Sequence, residues 1–201
     1  MRLISSFDLK IKQKTMKKFI KWFLIIVTIL GIGLFGTYKY MISQTKKASP
    51  EQTVTYNQSD VNLSVFYNRP STRGRDIFGK LVPYGKVWRT GANEATTFKT
   101  NKDLLINGKK LPAGKYSLYT IPGEDSWEII FNGKSYFWGI NMRDPSKASL
   151  EREFDVLVTN VNPVSTDTVT EMFTISFENN SGLFLVLSWH QTKVMVPIQI
   201  N

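Results

Sequence analysis

An uncharged apolar run near the N-terminus, Trp22–Tyr38, constrains this chain more than any other feature of its sequence. Its seventeen residues would extend about 25 Å as an α-helix, against about 30 Å for the hydrocarbon core of a bilayer. Lys21 and Lys39 flank the run, and their long side chains can reach the membrane surface from slightly inside it. We therefore predict a transmembrane helix over residues 19–41.

The charge of the chain is concentrated around this run. The formal net charge is +10, and residues 1–47 hold ten basic residues against Asp8 alone. By the positive-inside rule, an excess of lysine before an apolar helix keeps that side in the cytoplasm. The predicted topology is a basic cytoplasmic tail over 1–18, a single pass through the cytoplasmic (inner) membrane, and a C-terminal domain outside the cytoplasm.

A cleaved signal peptide is the alternative explanation of the same run. Met16-Lys17-Lys18 resembles the start of such a peptide, which leaves the true start at Met1 or Met16 open. The residues from Gly36 to Tyr40, however, offer no small-x-small cleavage site. A retained helix is the prediction, and a cleaved, secreted protein is the alternative.

The rest of the chain is nearly neutral, which argues against nucleic acid as a partner. Residues 48–201 hold sixteen basic and fifteen acidic residues, and no recognised nucleic-acid-binding module is present. The absence of cysteine and the single histidine, His190, exclude a disulfide scaffold, a thiolate metal site and a histidine-rich metal site. We predict no metal and no cofactor.

Period-two alternation dominates the chain after a polar linker predicted over 42–52. From Val61 to Tyr67, residues facing a core alternate with residues facing outward, as in a strand with one buried face. Asn107-Gly108 between two apolar segments predicts a type I′ hairpin. These patterns predict one all-β domain over 53–201, an antiparallel sandwich or barrel of about ten strands. Further strands are expected at Lys86–Arg89, Ala95–Thr100, Asp103–Ile106, Tyr116–Ile121, Trp127–Asn132, Phe154–Val161, Glu171–Phe177, Leu183–Trp189 and Lys193–Ile200.

The segment that follows Tyr67 concentrates arginine and aromatic side chains. Residues 69–115 hold eleven basic and three acidic residues, whereas residues 116–201 hold five and ten. Guanidinium groups form bidentate hydrogen bonds with carboxylate, sulfate and phosphate, so we interpret the segment as a ligand-binding face. The face comprises Arg69, Arg73, Arg75, Tyr84, Trp88, Arg89 and Asn93.

The first function hypothesis is a membrane-anchored, non-catalytic binding or assembly module of the cell envelope. Its partner would be an anionic glycan, a lipid headgroup or an envelope protein, and its arginines would converge on one exposed surface. The alternative is structural: the arginines pair with the acidic half of the domain, Asn93 satisfies a turn, and Glu94 pairs with Arg89 or Arg75.

A second hypothesis is an envelope hydrolase. Glu94 or His190 would be the acid–base group and Arg89 the electrostatic stabiliser. This hypothesis requires that Glu94 lie within about 10 Å of His190 or of a second carboxylate. No Gly-x-Ser-x-Gly nucleophile motif accompanies them. A purely structural role, without any pocket, is the third possibility.

Motifs in and after the arginine-rich segment carry a resemblance to a known family. They are RPS at 69–71, GRDIFG at 74–79, LVPYGKVWRTGANEAT at 81–96, LPAGKYSL at 111–118, IPG at 121–123, Trp127, Trp189 and Lys193-Val194. Over residues 53 to 200 the chain resembles the domain of unknown function 2911 family. The resemblance implies an all-β domain in an exported or membrane-anchored bacterial envelope protein. It implies no reaction and no catalytic residues.

Overall fold

The computed structural model describes the backbone of residues 6–144 and 146–200, with side chains from residue 15 onward. The chain divides into two compact units between Thr45 and Lys46. A long helix, α1 (Ser6–Ala48), accounts for the first unit and ends within the second. The second unit is built of β-strands.

Between Thr15 and Ala48, α1 is long and apolar enough to cross a membrane. No part of its most apolar window is buried against the protein, and Trp22 and Leu34 are among its exposed side chains. A helix of this kind near the N-terminus acts as a membrane anchor or as a signal sequence.

The connection between helix and strands is shorter than the linker expected over 42–52. The helix continues through Ala48 because Gln, Lys and Ala are good helix formers in water. Pro50 then ends it, since proline disfavours the helical conformation of the residue before it. Only Ser49 and Pro50 separate the helix from the first strand.

Ten strands, counted over the described residues, form two antiparallel sheets, which confirms the predicted all-β fold. Their bounds are β1 Glu51–Gln58, β2 Val61–Asn68, β3 Thr97–Thr100, β4 Leu104–Ile106, β5 Lys109–Leu111, β6 Gly114–Ile121, β7 Trp127–Asn132, β8 Asp155–Val161, β9 Pro163–Asn179 and β10 Leu183–Ile200. The six-stranded sheet has the order β1-β2-β3-β6-β7-β8, and the four-stranded sheet has the order β5-β4-β10-β9. One 3₁₀ turn, Arg152–Phe154, precedes β8.

One hydrophobic core is shared by the two sheets. Leu63, Phe98 and Phe131 of the six-stranded sheet belong to the same buried cluster as Ile106 and Leu187 of the four-stranded sheet. Period-two burial along β2 follows the alternation seen in the sequence. Burial of this apolar area is the main favourable contribution to folding.

Several strands differ from those expected. β1 and β5 were not among the expected strands, and β9 begins at Pro163, eight residues before the expected Glu171. Lys86–Arg89 is not a strand; only Trp88 makes an isolated bridge, to Thr120 of β6. The two strands expected between residues 183 and 200 are one strand, β10, whose register with β9 shifts at His190. His190 has a φ of +53°, so the chain is kinked there without leaving the sheet.

Candidate functional site

Residues 69–96, the arginine-rich segment, contain no regular strand and are held by hydrogen bonds to β9. The Glu171 carboxylate accepts from the Thr72 hydroxyl and from the Arg73 backbone N–H, the latter at 3.0 Å. Its carbonyl oxygen accepts from the Thr72 N–H at 2.8 Å and from the Trp189 indole N–H at 3.3 Å. The hydrogen bond from Thr72 lowers the pKa of Glu171 below its usual value. Sequence reasoning missed Glu171, because nothing nearby in the chain marks its partners.

Arg69 joins the start of this segment to the same strand. Its Nε donates to the Phe173 carbonyl at 3.1 Å and its Nη2 to the Thr174 hydroxyl at 2.9 Å. The side chain is partly buried in this position. Its guanidinium therefore already holds two protein acceptors.

Arg73 and Arg75 are exposed and also bind carbonyl oxygens of the protein. Arg75 donates from Nε to Thr72 at 2.9 Å and from Nη2 to Ser71 at 2.8 Å. Arg73 donates from Nη2 to the Ala48 carbonyl at 3.2 Å. Within the described residues, no carboxylate lies in ion-pair distance of Arg69, Arg73 or Arg75.

The two aromatic residues of the proposed face have different surroundings. Tyr84 is 40% exposed. Trp88 is partly buried, stacks on Trp189 with ring centroids 5.7 Å apart, and meets Phe173 edge to face at 4.9 Å. Phe78 completes this aromatic cluster. Trp88 thus packs between the sheets and holds the backbone of the adjacent Arg89 in place.

Asn93 and Glu94 lie where the domain begins. Asn93 is buried with a φ of +53°, and its amide donates to the Ser49 carbonyl at 3.5 Å and to the Asn68 side chain at 3.4 Å. Glu94 accepts from the Asn68 amide at 3.1 Å and pairs with Lys46 at 3.3 Å. Both residues hold the first residues of the domain against the end of β2.

No hydrogen bond or ion pair joins Glu94 to His190 in the part of the chain that the structure describes. His190 lies at the irregularity of β10, opposite Thr170 of β9. The described residues contain no cluster of three or more potential metal ligands among histidine, aspartate and glutamate. An acid–base role for Glu94 or His190 stays a prediction from the sequence.

Arg89 differs from the other arginines of the segment. It lines a cavity of about 760 Å³, the Arg89 cavity. Its only hydrogen bond to a described residue is a long one, from Nε to the Gly91 carbonyl at 3.4 Å, and no described carboxylate pairs with it. Burial lowers the pKa of Arg89 below its usual value. Gly139 packs so closely on the Arg89 side chain that an added Cβ would lie 2.6 Å from Arg89 Cδ.

A buried hydroxyl without a hydrogen-bond partner lies close to Arg89. Tyr119, in β6, is completely buried, and its hydroxyl has no hydrogen-bond partner among the described residues. It interacts electrostatically with Arg89, and burial raises the pKa of Tyr119. Buried polar groups without partners are rare and costly. The sequence predicted a strand over Tyr116–Ile121, and its pattern did not distinguish the Tyr119 hydroxyl.

The walls of the Arg89 cavity combine apolar and cationic groups. Apolar lining side chains come from two stretches of the chain: Leu81, Val87 and Trp88 from the arginine-rich segment, and Ile140 and Leu150 from the region before β8. Two lysines, Lys86 and Lys147, also line the cavity. Lys147 pairs with Asp144 at 2.8 Å, whereas Lys86 is exposed and has no ion pair within the described part of the chain.

Sequence patterns did not indicate that Ile140 and Leu150 line a cavity with Arg89. The sequence allows one short helix here, over Pro145–Arg152, but residues 146–151 are not helical and only the 3₁₀ turn Arg152–Phe154 follows them. Ile140 and residues 146–148 and 150 line the cavity beside Arg89, and the adjacent Gly139 N–H donates to the Asn93 carbonyl at 3.1 Å.

Comparison with known proteins agrees with the motifs of the arginine-rich segment. Neither a search of curated proteins nor a search of solved structures gave a match for this chain. A profile of the family described as protein of unknown function (DUF2911) matches residues 49–198, which include β1 to β9, all but the last two residues of β10, and the whole arginine-rich segment. The chain therefore belongs to the DUF2911 family.

Proposed function

We propose that this protein is a membrane-anchored, non-catalytic module of the cell envelope that binds an anionic, partly apolar ligand in the Arg89 cavity. The observation that carries the proposal is a partly buried guanidinium in a cavity wall without a carboxylate partner among the described residues. The helix α1 is the retained anchor, with its basic end in the cytoplasm and the β domain outside.

The first argument is electrostatic. A cation removed from water loses hydration, and the loss must be compensated by hydrogen bonds or by an opposite charge. Arg69 and Arg75 have two protein acceptors each, whereas Arg89 has one weak acceptor within the described chain. An anionic ligand would accept from the remaining N–H groups of Arg89.

The second argument comes from the size and lining of the cavity. Its volume of about 760 Å³ lies in the range of small-molecule sites, about 300 to 1,000 Å³. Apolar side chains such as Leu81 and Ile140 would contact an apolar part of the ligand, while Lys86 would face an anionic group beside Arg89. A phosphate, sulfate or carboxylate attached to a short hydrocarbon chain has this chemistry.

Binding of hexyl phosphate to the full chain tests the proposal. The protein would be placed in phosphatidylcholine nanodiscs and titrated by calorimetry with hexyl phosphate, with hexanol and with inorganic phosphate. We expect hexyl phosphate to bind more tightly than either part alone. Arg89→Gln should weaken its binding by about tenfold or more, since a hydrogen bond to a charged group is worth about 1.5–3 kcal/mol.

The matched control is Arg73→Gln, which removes an exposed arginine of the same segment and should leave the affinity unchanged. Without ligand, Arg89→Gln should unfold at a temperature no lower than that of the wild type, because it removes an uncompensated charge. The proposal would be overturned by absent binding, or by a loss of affinity in Arg73→Gln that Arg89→Gln does not share.

A further inference from the structure

The loop that follows β7 exposes large apolar side chains. In this Phe137 loop, residues 134–144, Phe137 is 81% and Met142 is 80% exposed. No other large apolar side chain described in the β domain exceeds 54%. Phe137 lies against the half-buried Trp138, with ring centroids 6.3 Å apart, so the two rings form one apolar surface. Large exposed apolar side chains grouped in one loop are typical of surfaces that contact a protein partner or a membrane.

A cation stands beside the apolar tip. Arg143 follows Met142 directly, is exposed, and has no ion pair with any described residue. The other basic residue of the loop, Lys134, pairs with Glu151 at 2.6 Å. An apolar side chain beside a free arginine suits the interface of a lipid bilayer, where hydrocarbon and anionic headgroups meet.

The Phe137 loop also lies next to the residue at which the domain begins. The Gly139 N–H donates to the Asn93 carbonyl at 3.1 Å, and the Asn93 amide donates to the Ser49 carbonyl at 3.5 Å. Ser49 is the first residue after α1. Two hydrogen bonds therefore connect the loop to the end of the helix.

The length of α1 places that junction close to the membrane surface. The predicted span ends at Met41, and seven more helical residues to Ala48 advance about 10 Å along the helix axis. The headgroup region on each side of the hydrocarbon core is about 5 to 7 Å thick. The first residues of the domain are thus at or just above the headgroups when α1 spans the bilayer.

We propose that the Phe137 loop inserts into the interface of the membrane that α1 spans, with Phe137 and Met142 among the acyl chains and Arg143 on anionic headgroups. The inference rests on the membrane anchoring in the proposed function. Ile140 of this loop also lines the Arg89 cavity, so insertion brings that wall of the cavity to the lipid headgroups.

Spin labels report the insertion directly, because the chain contains no cysteine and a single new one is the only labelling site. The full chain would carry a nitroxide at Phe137→Cys or Met142→Cys, in nanodiscs of phosphatidylcholine mixed with phosphatidylglycerol. Ile29→Cys, within the helix, is the lipid reference. Asn57→Cys is the water reference, because Asn57 is exposed and lies eight residues after Ser49. Eight residues of extended chain span about 26 Å.

Power-saturation measurements compare the access of oxygen, which prefers lipid, with that of a water-soluble nickel complex. We expect the Phe137 and Met142 labels to resemble the Ile29 label more than the Asn57 label. Arg143→Gln should move the Phe137 label toward water only where phosphatidylglycerol is present, because the arginine acts on anionic headgroups.

A Phe137 label in water, together with an Ile29 label in lipid, would overturn the insertion and leave the anchored module intact. An Ile29 label in water would overturn the anchoring and the insertion with it. Both cysteine substitutions in the loop replace exposed side chains, so they leave the packed core unchanged.

Discussion

At the scale of single residues, Glu171 shows how one side chain organises a segment distant in sequence. Its two carboxylate oxygens accept from Thr72 and Arg73, ninety-nine and ninety-eight residues away. The Thr72 side chain is buried by this contact. The arginine-rich segment therefore depends on an acidic residue in a long strand, and this dependence has a measurable pH signature.

Glu171→Gln should destabilise the domain at neutral pH, and the difference from the wild type should shrink in acid. The hydrogen bond from Thr72 lowers the folded-state pKa of Glu171, so the ionised carboxylate stabilises the fold above its unfolded pKa of about 4.3. That stabilisation is lost as the pH falls through the lower, folded-state pKa. Urea unfolding at pH 7 and at pH 3 would measure both differences.

Glu124→Gln is the matched control, because Glu124 is an exposed carboxylate in a turn. It should change the free energy of unfolding little at either pH. Equal destabilisation by Glu171→Gln at both pH values would contradict the role given to the ionised carboxylate.

Arginines with the same sequence signal have different environments in the fold. The sequence grouped Arg69, Arg75 and Arg89 in one predicted binding face, because the segment that contains them is rich in arginine, aromatic and glycine residues. In the structure, Arg69 and Arg75 donate to protein oxygens while Arg89 lines a cavity. Local sequence does not separate these cases, because the acceptors belong to other elements or to turns whose geometry the sequence leaves open.

At the scale of elements, short-range patterns predicted most strands closely. β7 has the bounds expected, Trp127–Asn132, and the Asn107-Gly108 hairpin joins β4 to β5 as expected. Asn107 and Gly108 have φ of +48° and +77°, the signs that a type I′ turn requires. The prediction of a strand at Lys86–Arg89 was wrong, because alternation along the chain does not ensure that a neighbouring strand is in place to pair with it. In this stretch only Trp88 forms a bridge, to Thr120.

Gly108→Ala should destabilise this hairpin. Alanine at a φ of +77° places its Cβ against the backbone, at a cost of about 1 kcal/mol. Gly108→Asn should cost less, because asparagine tolerates the left-handed region better than alanine. Denaturant unfolding of both variants measures the difference. An alanine variant as stable as the wild type would contradict the turn assignment.

At the scale of the whole molecule, the net charge of +10 describes two different parts of the chain. Most of the excess lies in residues 1–47, around the apolar helix, whereas the β domain is almost neutral. The net charge of the chain is therefore mainly relevant to the predicted membrane topology. Within the described part of the domain, no ion pair joins the basic residues of 69–115 to the acidic residues of 116–201. Glu171 binds this segment through the Thr72 hydroxyl and the Arg73 backbone N–H instead.

Accessibility of introduced cysteines tests the proposed topology. Asn57→Cys should react with a membrane-impermeant maleimide while the cytoplasmic membrane is intact, and Gln13→Cys only after lysis, since the basic tail stays inside. The reverse pattern would contradict the orientation. An Asn57→Cys product that has lost the helix and appears in the soluble fraction would favour the cleaved, secreted alternative.

By itself, the sequence determined the apolar helix, the antiparallel β class, the Asn107-Gly108 turn and the family. Each depends on residues close together in the chain, whose periodicity, turn chemistry and motifs act locally. Tertiary structure alone decided that Arg89, unlike Arg69, Arg73 and Arg75, lines a cavity, with the Tyr119 hydroxyl unsatisfied nearby. It also decided that Gly139 covers Arg89 and that Glu171 holds Thr72, because these contacts join segments about fifty to one hundred residues apart, which no local pattern encodes.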